Sequence, residues 1–184
     1  LYEGITEYAA GHVQLKEGLM PFEDYLDLIE FKLKFSKSRF NDTLPFTELS
    51  LGCLEKHKSE YANVYLKGSL IGLALDIELR DLSEGKYGTQ DLIKDLSSLY
   101  GKEKPFVDSL LFQKITELTY PEISEFLNDY VAGSQTIPYD YYLEKIGVEY
   151  YDTLEETEIT FGGIGLGYNP DSERLVIRRT ENIN

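Results

Sequence analysis

The sequence predicts a mainly α protein, a multi-helix bundle over residues 1–147 followed by a short β segment over 148–184. Three observations carry that expectation. Apolar residues recur at three- and four-residue steps through most of the first part, the period of helices with one buried stripe. One stretch, Gly68 to Ile77, is apolar nearly all round, as a helix enclosed by others must be. After Gly147 the pattern turns to short runs separated by glycines, with Asn169-Pro170-Asp171-Ser172 as a turn signal.

Taken in order, Leu1 to Gln14 places Ile5, Tyr8, Ala9, His12 and Val13 close to helical period, with Gly18 as the stop. Pro21 suits a first helical turn, and Phe22, Tyr25, Leu26, Ile29 and Leu33 make a second helix ending near Phe35. Ser36 to His57 contains Asn41-Asp42, Pro45 and Gly52 and reads mostly as loop, with one helical turn at Thr47 to Gly52. The longest helix is expected from about Glu60 to Leu82, where Gly68, Gly72 and Ala74 permit close approach of a neighbour. Gly85 and Gly88 break it, and Thr89 is the expected N-cap of a helix from Gln90 to Leu99. Further helices are expected over Asp108 to Leu118, Pro121 to Tyr130 and Pro138 to Lys145. In the tail, Glu158 to Phe161, Gly163 to Tyr168 and Arg174 to Arg178 favour strands.

Composition narrows the function classes. Hydrophobic residues at 42% and aromatics at 13%, with 15 Tyr, argue for a folded globular chain. A formal charge of −15 excludes nucleic acid as an expected partner, because phosphate binding needs clustered Lys and Arg. No run reaches the ~18 apolar residues of a membrane span. The first residues lack the order of a signal peptide. Because the first residue is Leu rather than Met, the start is expected to be a processing or cutting boundary, with any targeting signal upstream and the compartment unspecified. The single Cys53 excludes an internal disulfide framework.

Four strings occur in order: Glu3-Gly4-x-Thr6-x-Tyr8; Tyr65-x-Lys67-Gly68 running into Leu75-Asp76-Ile77-Glu78-Leu79-Arg80; Phe126 to Gly133 with Val131; and Ile137-Pro138-Tyr139. Together they resemble the C-terminal part of the catalytic domain of peptidase family M61, the glycyl-aminopeptidase-like gluzincins, over roughly Leu1 to Gly147. The resemblance departs at Leu1-Tyr2, where the family more often has an aromatic and a small polar residue. It implies a zinc aminopeptidase parent acting on short peptides with a free N-terminus. Glu3 is then the third zinc ligand, and Tyr65 the catalytic donor to the tetrahedral oxyanion, a role that requires a hydroxyl aimed where charge develops. It also implies a PDZ-like domain beginning in the tail, for which Gly163-Ile164-Gly165-Leu166 is similar to an opening strand.

The rest of such a site is absent from the sequence. A catalytic zinc takes three protein ligands, and a His-Glu-x-x-His helix supplies two imidazoles one turn apart with the general base between them. The only histidines, His12 and His57, are far apart and neither is followed by Glu. This stretch alone is therefore expected to bind little zinc and to be inactive. Bland alternatives stand beside each assignment. Glu3 also suits the positive end of a helix, and Tyr65 also suits simple packing. Glu7 falls on the face of Glu3, either as its hydrogen-bonding neighbour or as part of a solvated acidic face. Both histidines read as packed or exposed rather than as ligands. The glycines at 162, 163, 165 and 167 lack the strand-turn-helix context and the Lys of a phosphate loop. A non-catalytic peptide-binding or scaffolding protein that retains the peptidase fold is the alternative function.

Overall fold

A computed structural model of the chain describes residues 2–151, 153 and 163–181. The chain is mainly helical, with a short antiparallel two-stranded sheet near its C-terminus. Two units divide it, Leu1–Tyr150 and Tyr151–Asn184.

In the first unit, α1 (Tyr2–Lys16) carries Glu3 in its first turn and Lys16 in its last, charges that suit the helix dipole. Gly18, at φ +67, ends that segment in the left-handed conformation that glycine adopts without strain. Helix α2 (Phe22–Arg39) begins after Pro21 and runs four residues beyond the expected stop at Phe35. The physical reason is Ser36, which turns inward and donates to the buried Asn63 Oδ1 at 2.7 Å, while Lys37 and Arg39 favour the negative end of the last turn. Helix α3 (Phe46–Gly52) is a full short helix where a single turn is expected, because Phe46 and Leu49 both reach the core.

Helix α4 (Asn63–Leu82) is the axis of the unit. Fourteen of its twenty residues are buried, so it has no solvent face through its middle, as its nearly all-round apolar sequence requires. Its α-helix starts at Asn63 rather than near Glu60, because Lys58–Glu60 form a separate 3₁₀ turn. Helix α5 (Thr89–Leu99) takes Gly88, not Thr89, as its N-cap. The acceptor for the Thr89 N–H comes instead from α4, where Asp76 Oδ1 receives it at 2.6 Å and the Thr89 hydroxyl at 2.7 Å.

A 3₁₀ turn at Asp108–Leu110 leads into α6 (Leu111–Leu118). Helix α7 (Glu122–Phe126) continues as a π-helical stretch, Leu127–Ala132, that buries both Leu127 and Val131 before Gly133 ends it. Helix α8 (Tyr139–Glu144) follows Pro138. The core joins Tyr8, Leu33, Phe46, Leu49, Ile71, Leu79, Ile123, Leu127 and Tyr142 from six helices and the π-helical stretch.

The second unit is described through one hairpin. Strand β1 (Gly163–Asn169) pairs antiparallel with β2 (Arg174–Glu181), Asn169 opposite Arg174 and Gly163 opposite Glu181, with a bulge after Gly165. Asn169 Oδ1 accepts the Asp171 N–H at 2.9 Å, an Asx turn that closes the loop. Gly163, Gly165 and Gly167 thus lie in a strand. The strand expected at Glu158 to Phe161 and the acidic pair Glu155-Glu156 lie outside the described residues.

Candidate functional site

The site is built at the crossing of α1 over α4. On a helix of 3.6 residues per turn, positions 65, 68 and 72 share one side, and that side of α4 lies under α1. Contact there is backbone on backbone. A Cβ on Gly4 would sit 2.4 Å from Gly68 Cα, and one on Gly68 would sit 2.8 Å from Gly4 Cα. One turn further along, a Cβ on Gly72 would meet Tyr8 Cβ at 2.9 Å. Only glycine allows this approach, so the Glu-Gly string and the Tyr-x-Lys-Gly string, far apart in sequence, have Gly4 and Gly68 in direct contact.

That contact sets the first turn of α1, with Glu3, beside the start of α4, with Tyr65. Glu3 is exposed and Tyr65 is half-buried against the edge of the core. The Tyr65 hydroxyl lies 3.3 Å from that of Tyr61, and the two rings meet edge to face at 5.9 Å. The Tyr65 phenol is pushed up to about 12, first by the hydrogen bond with Tyr61, then by lost hydration, then by the negative charge of Glu3. At neutral pH it is a proton donor.

Lys67 leaves α4 about 200° round from Tyr65, given 3.6 residues per turn, and serves another purpose. Its side chain is buried, and its ammonium donates to the carbonyls of Asp42 and of Leu44, the latter at 3.2 Å, with the Asp42 carboxylate 3.8 Å away. Burial pulls its pKa down, and the Asp42 charge opposes that. Lys67 thus pins the loop before α3. Glu7 is not part of a free acidic face: it accepts from the buried Lys32 of α2 at 2.9 Å. Along this seam α1, α2 and α4 enclose a cleft lined by Glu7, Tyr25, Lys32, Ser69 and Leu73.

The histidines act in packing. His12 Nδ1 lies 2.9 Å from the Tyr8 hydroxyl, and burial lowers its pKa. His57 Nε2 lies 3.0 Å from Glu48 Oε1, its ring against Gly52. Among the described residues no group of three or more His, Cys, Asp and Glu is arranged to hold a metal ion. A lone carboxylate on a helix end fits one corner of a zinc site and not a whole one.

Two features escape sequence reasoning. Tyr61 lies outside the apolar stripe of α4, and its only signal is its four-residue spacing from Tyr65. Asp76 interrupts an apolar run, which marks it as a buried polar group with required partners but does not say which. Those partners are Thr89 and Arg80, whose Nε donates at 2.6 Å, together with the Tyr8 phenol.

No known family profile, curated protein or solved structure matches the chain. Among the described residues no helix is long and apolar enough to cross a membrane.

Proposed function

We propose that this chain is the helical C-terminal part of a zinc-dependent metallopeptidase of M61 type, supplying Glu3 as third zinc ligand and Tyr65 as the catalytic oxyanion donor. What supports the reading is one observation, the glycine-on-glycine crossing that sets a carboxylate and a protonated phenol side by side from two distant strings. In this reading two imidazoles and the general base come from a His-Glu-x-x-His helix upstream, and the parent cleaves short peptides from a free N-terminus. The chemistry the metal supplies when bound is activation of water near neutral pH. Glu3 contributes one anionic oxygen donor. Tyr65 keeps its proton at neutral pH and donates it as a hydrogen bond to the carbonyl oxygen as negative charge develops there.

The test uses the full-length protein. Wild type is expected to copurify with zinc and to release an N-terminal residue from aminoacyl-p-nitroanilides. Glu3→Gln is expected to lose most of the metal, and Tyr65→Phe to keep it while kcat falls about 10²–10³-fold. Undiminished turnover in both variants sinks the assignment, and a metal-free, inactive wild type that binds peptides favours a non-catalytic scaffold instead.

A further inference from the structure

Helix α2 carries one apolar stripe more than its place in the core requires. Tyr25, Ile29 and Leu33 are buried and fasten it to the bundle. Phe31 and Phe35 stand on the other side, 54% and 37% exposed, with their rings stacked at 5.4 Å and 28°. Phe40 extends the row, its ring 6.1 Å from that of Phe35. Apolar residues scattered singly over a surface are ordinary, whereas aromatic rings gathered on one outward helix face are what an interface presents.

The charges beside these rings are sorted along the helix. Before Phe31 the exposed residues include Asp24 and Asp27, and after it Lys34 and Arg39. At about 100° per residue these positions share one broad face centred on Phe31. Asp27 and Lys34 lie along one edge of it, and Leu28, Phe35 and Arg39 along the other. Within the single chain Lys34 gives one of its three donors to Glu30, an exposed pair that water screens, and Arg39 lies 5.8 Å from the centre of the Phe35 ring. Neither arrangement closes the face.

A face acidic at one end and basic at the other complements its own copy turned end for end. With two such helices antiparallel and the two-fold axis at Phe31, residues about equally far before and after that position come opposite each other on the same edge. Phe31 then meets the partner's Phe31, Leu28 the partner's Phe35, Asp27 the partner's Lys34 and Asp24 the partner's Arg39. The geometry points to this face of α2 as a self-docking surface, on which a second copy of the chain packs antiparallel, rings on rings and carboxylates on cations. A lipid surface fits it less well, because Asp24 and Asp27 share the face and anionic headgroups repel them. The inference is independent of the peptidase reading.

The experiment follows mass against concentration by sedimentation equilibrium on the full-length protein. It spans about 1–500 µM, because a single helix face is at the small end of interface sizes and gives micromolar association. Wild type is expected to pass from one chain to two across that range. Phe31→Glu brings two carboxylates together at the axis and should weaken association about tenfold or more, with helical circular dichroism unchanged. Asp27→Lys or Lys34→Asp alone sets like charges opposite each other and should weaken it about three- to tenfold, while the two together restore the pairing and most of the affinity. A chain that stays monomeric throughout, or a dimer indifferent to Phe31→Glu, overturns the inference. Failure of the charge exchange to recover affinity overturns the antiparallel register. A monomer that binds vesicles of phosphatidylserine and phosphatidylcholine, and loses them in Phe31→Glu, overturns self-docking and gives the face to lipid.

Discussion

Asp76 shows how much one buried side chain organises. Burial by itself pushes its carboxyl up, yet hydrogen bonds from Arg80, from the hydroxyl and backbone N–H of Thr89, and from Tyr8 outweigh that and hold it below the usual 3.8. A carboxylate depressed on folding adds stability that is present above its unfolded pKa and is lost as pH falls through the folded value. Asp76→Asn should therefore cost about 1.5–3 kcal/mol at pH 7, the range for hydrogen bonds to a charged group. Urea titrations between pH 6 and pH 2 check the sign, because the gap between wild type and variant should close below pH 3.8. A gap of constant size would show that the charge of Asp76 is irrelevant. In the sequence Asp76 is visible only as a polar break, because its partner Thr89 lies thirteen residues on and across a turn. The meeting of the strings that carry Glu3 and Tyr65 is legible for the opposite reason: each string has a glycine at fixed spacing, and those glycines touch.

At the scale of elements, α1 and α4 are joined by the absence of side chains. Gly4→Ala and Gly68→Ala each insert a methyl where backbone or the Phe46 ring already stands, at 2.4 Å and 2.8–2.9 Å. Overpacking of this kind costs about 1–3 kcal/mol or more. Alanine recovers only about 1 kcal/mol of helix propensity over glycine. Thermal or urea unfolding should show both variants destabilised, Gly4→Ala the more so, since all three atoms it meets are backbone. A more stable Gly68→Ala would mean that the helices part easily. Helix existence was legible here from apolar period, while helix ends were not. Helix α2 outruns its stripe because Ser36 finds Asn63 across the interface, and α5 yields its expected cap to Asp76, both of them tertiary bonds that no local pattern encodes.

For the whole molecule, the division at Tyr150 predicts how the chain can be cut. Among the described residues the core comes entirely from the first unit, and long connections such as Thr136 to Asp42 at 2.9 Å close within it. A chain ending at Tyr150 should keep its helical circular dichroism and a single cooperative thermal transition. Loss of that transition would make residues 151–184 part of the folding unit. The β tail, by contrast, is described as one hairpin, and an isolated hairpin is marginal in water. The expected PDZ-like continuation remains a proposal attached to that unit.

The Gly4–Gly68 contact has a consequence for tolerance. Long side chains at a helix interface can repack when one helix slides, so the distance between two groups mounted on them drifts with each adjustment. Two backbones in touch have nothing to readjust. Any closer approach of α1 to α4 meets main-chain atoms. The backbones that carry Glu3 and Tyr65 therefore share the tolerance of a hard stop. A site that needs groups held to about 0.5 Å, as the proposed one does, would draw on a helix spacing set here by two missing methyl groups.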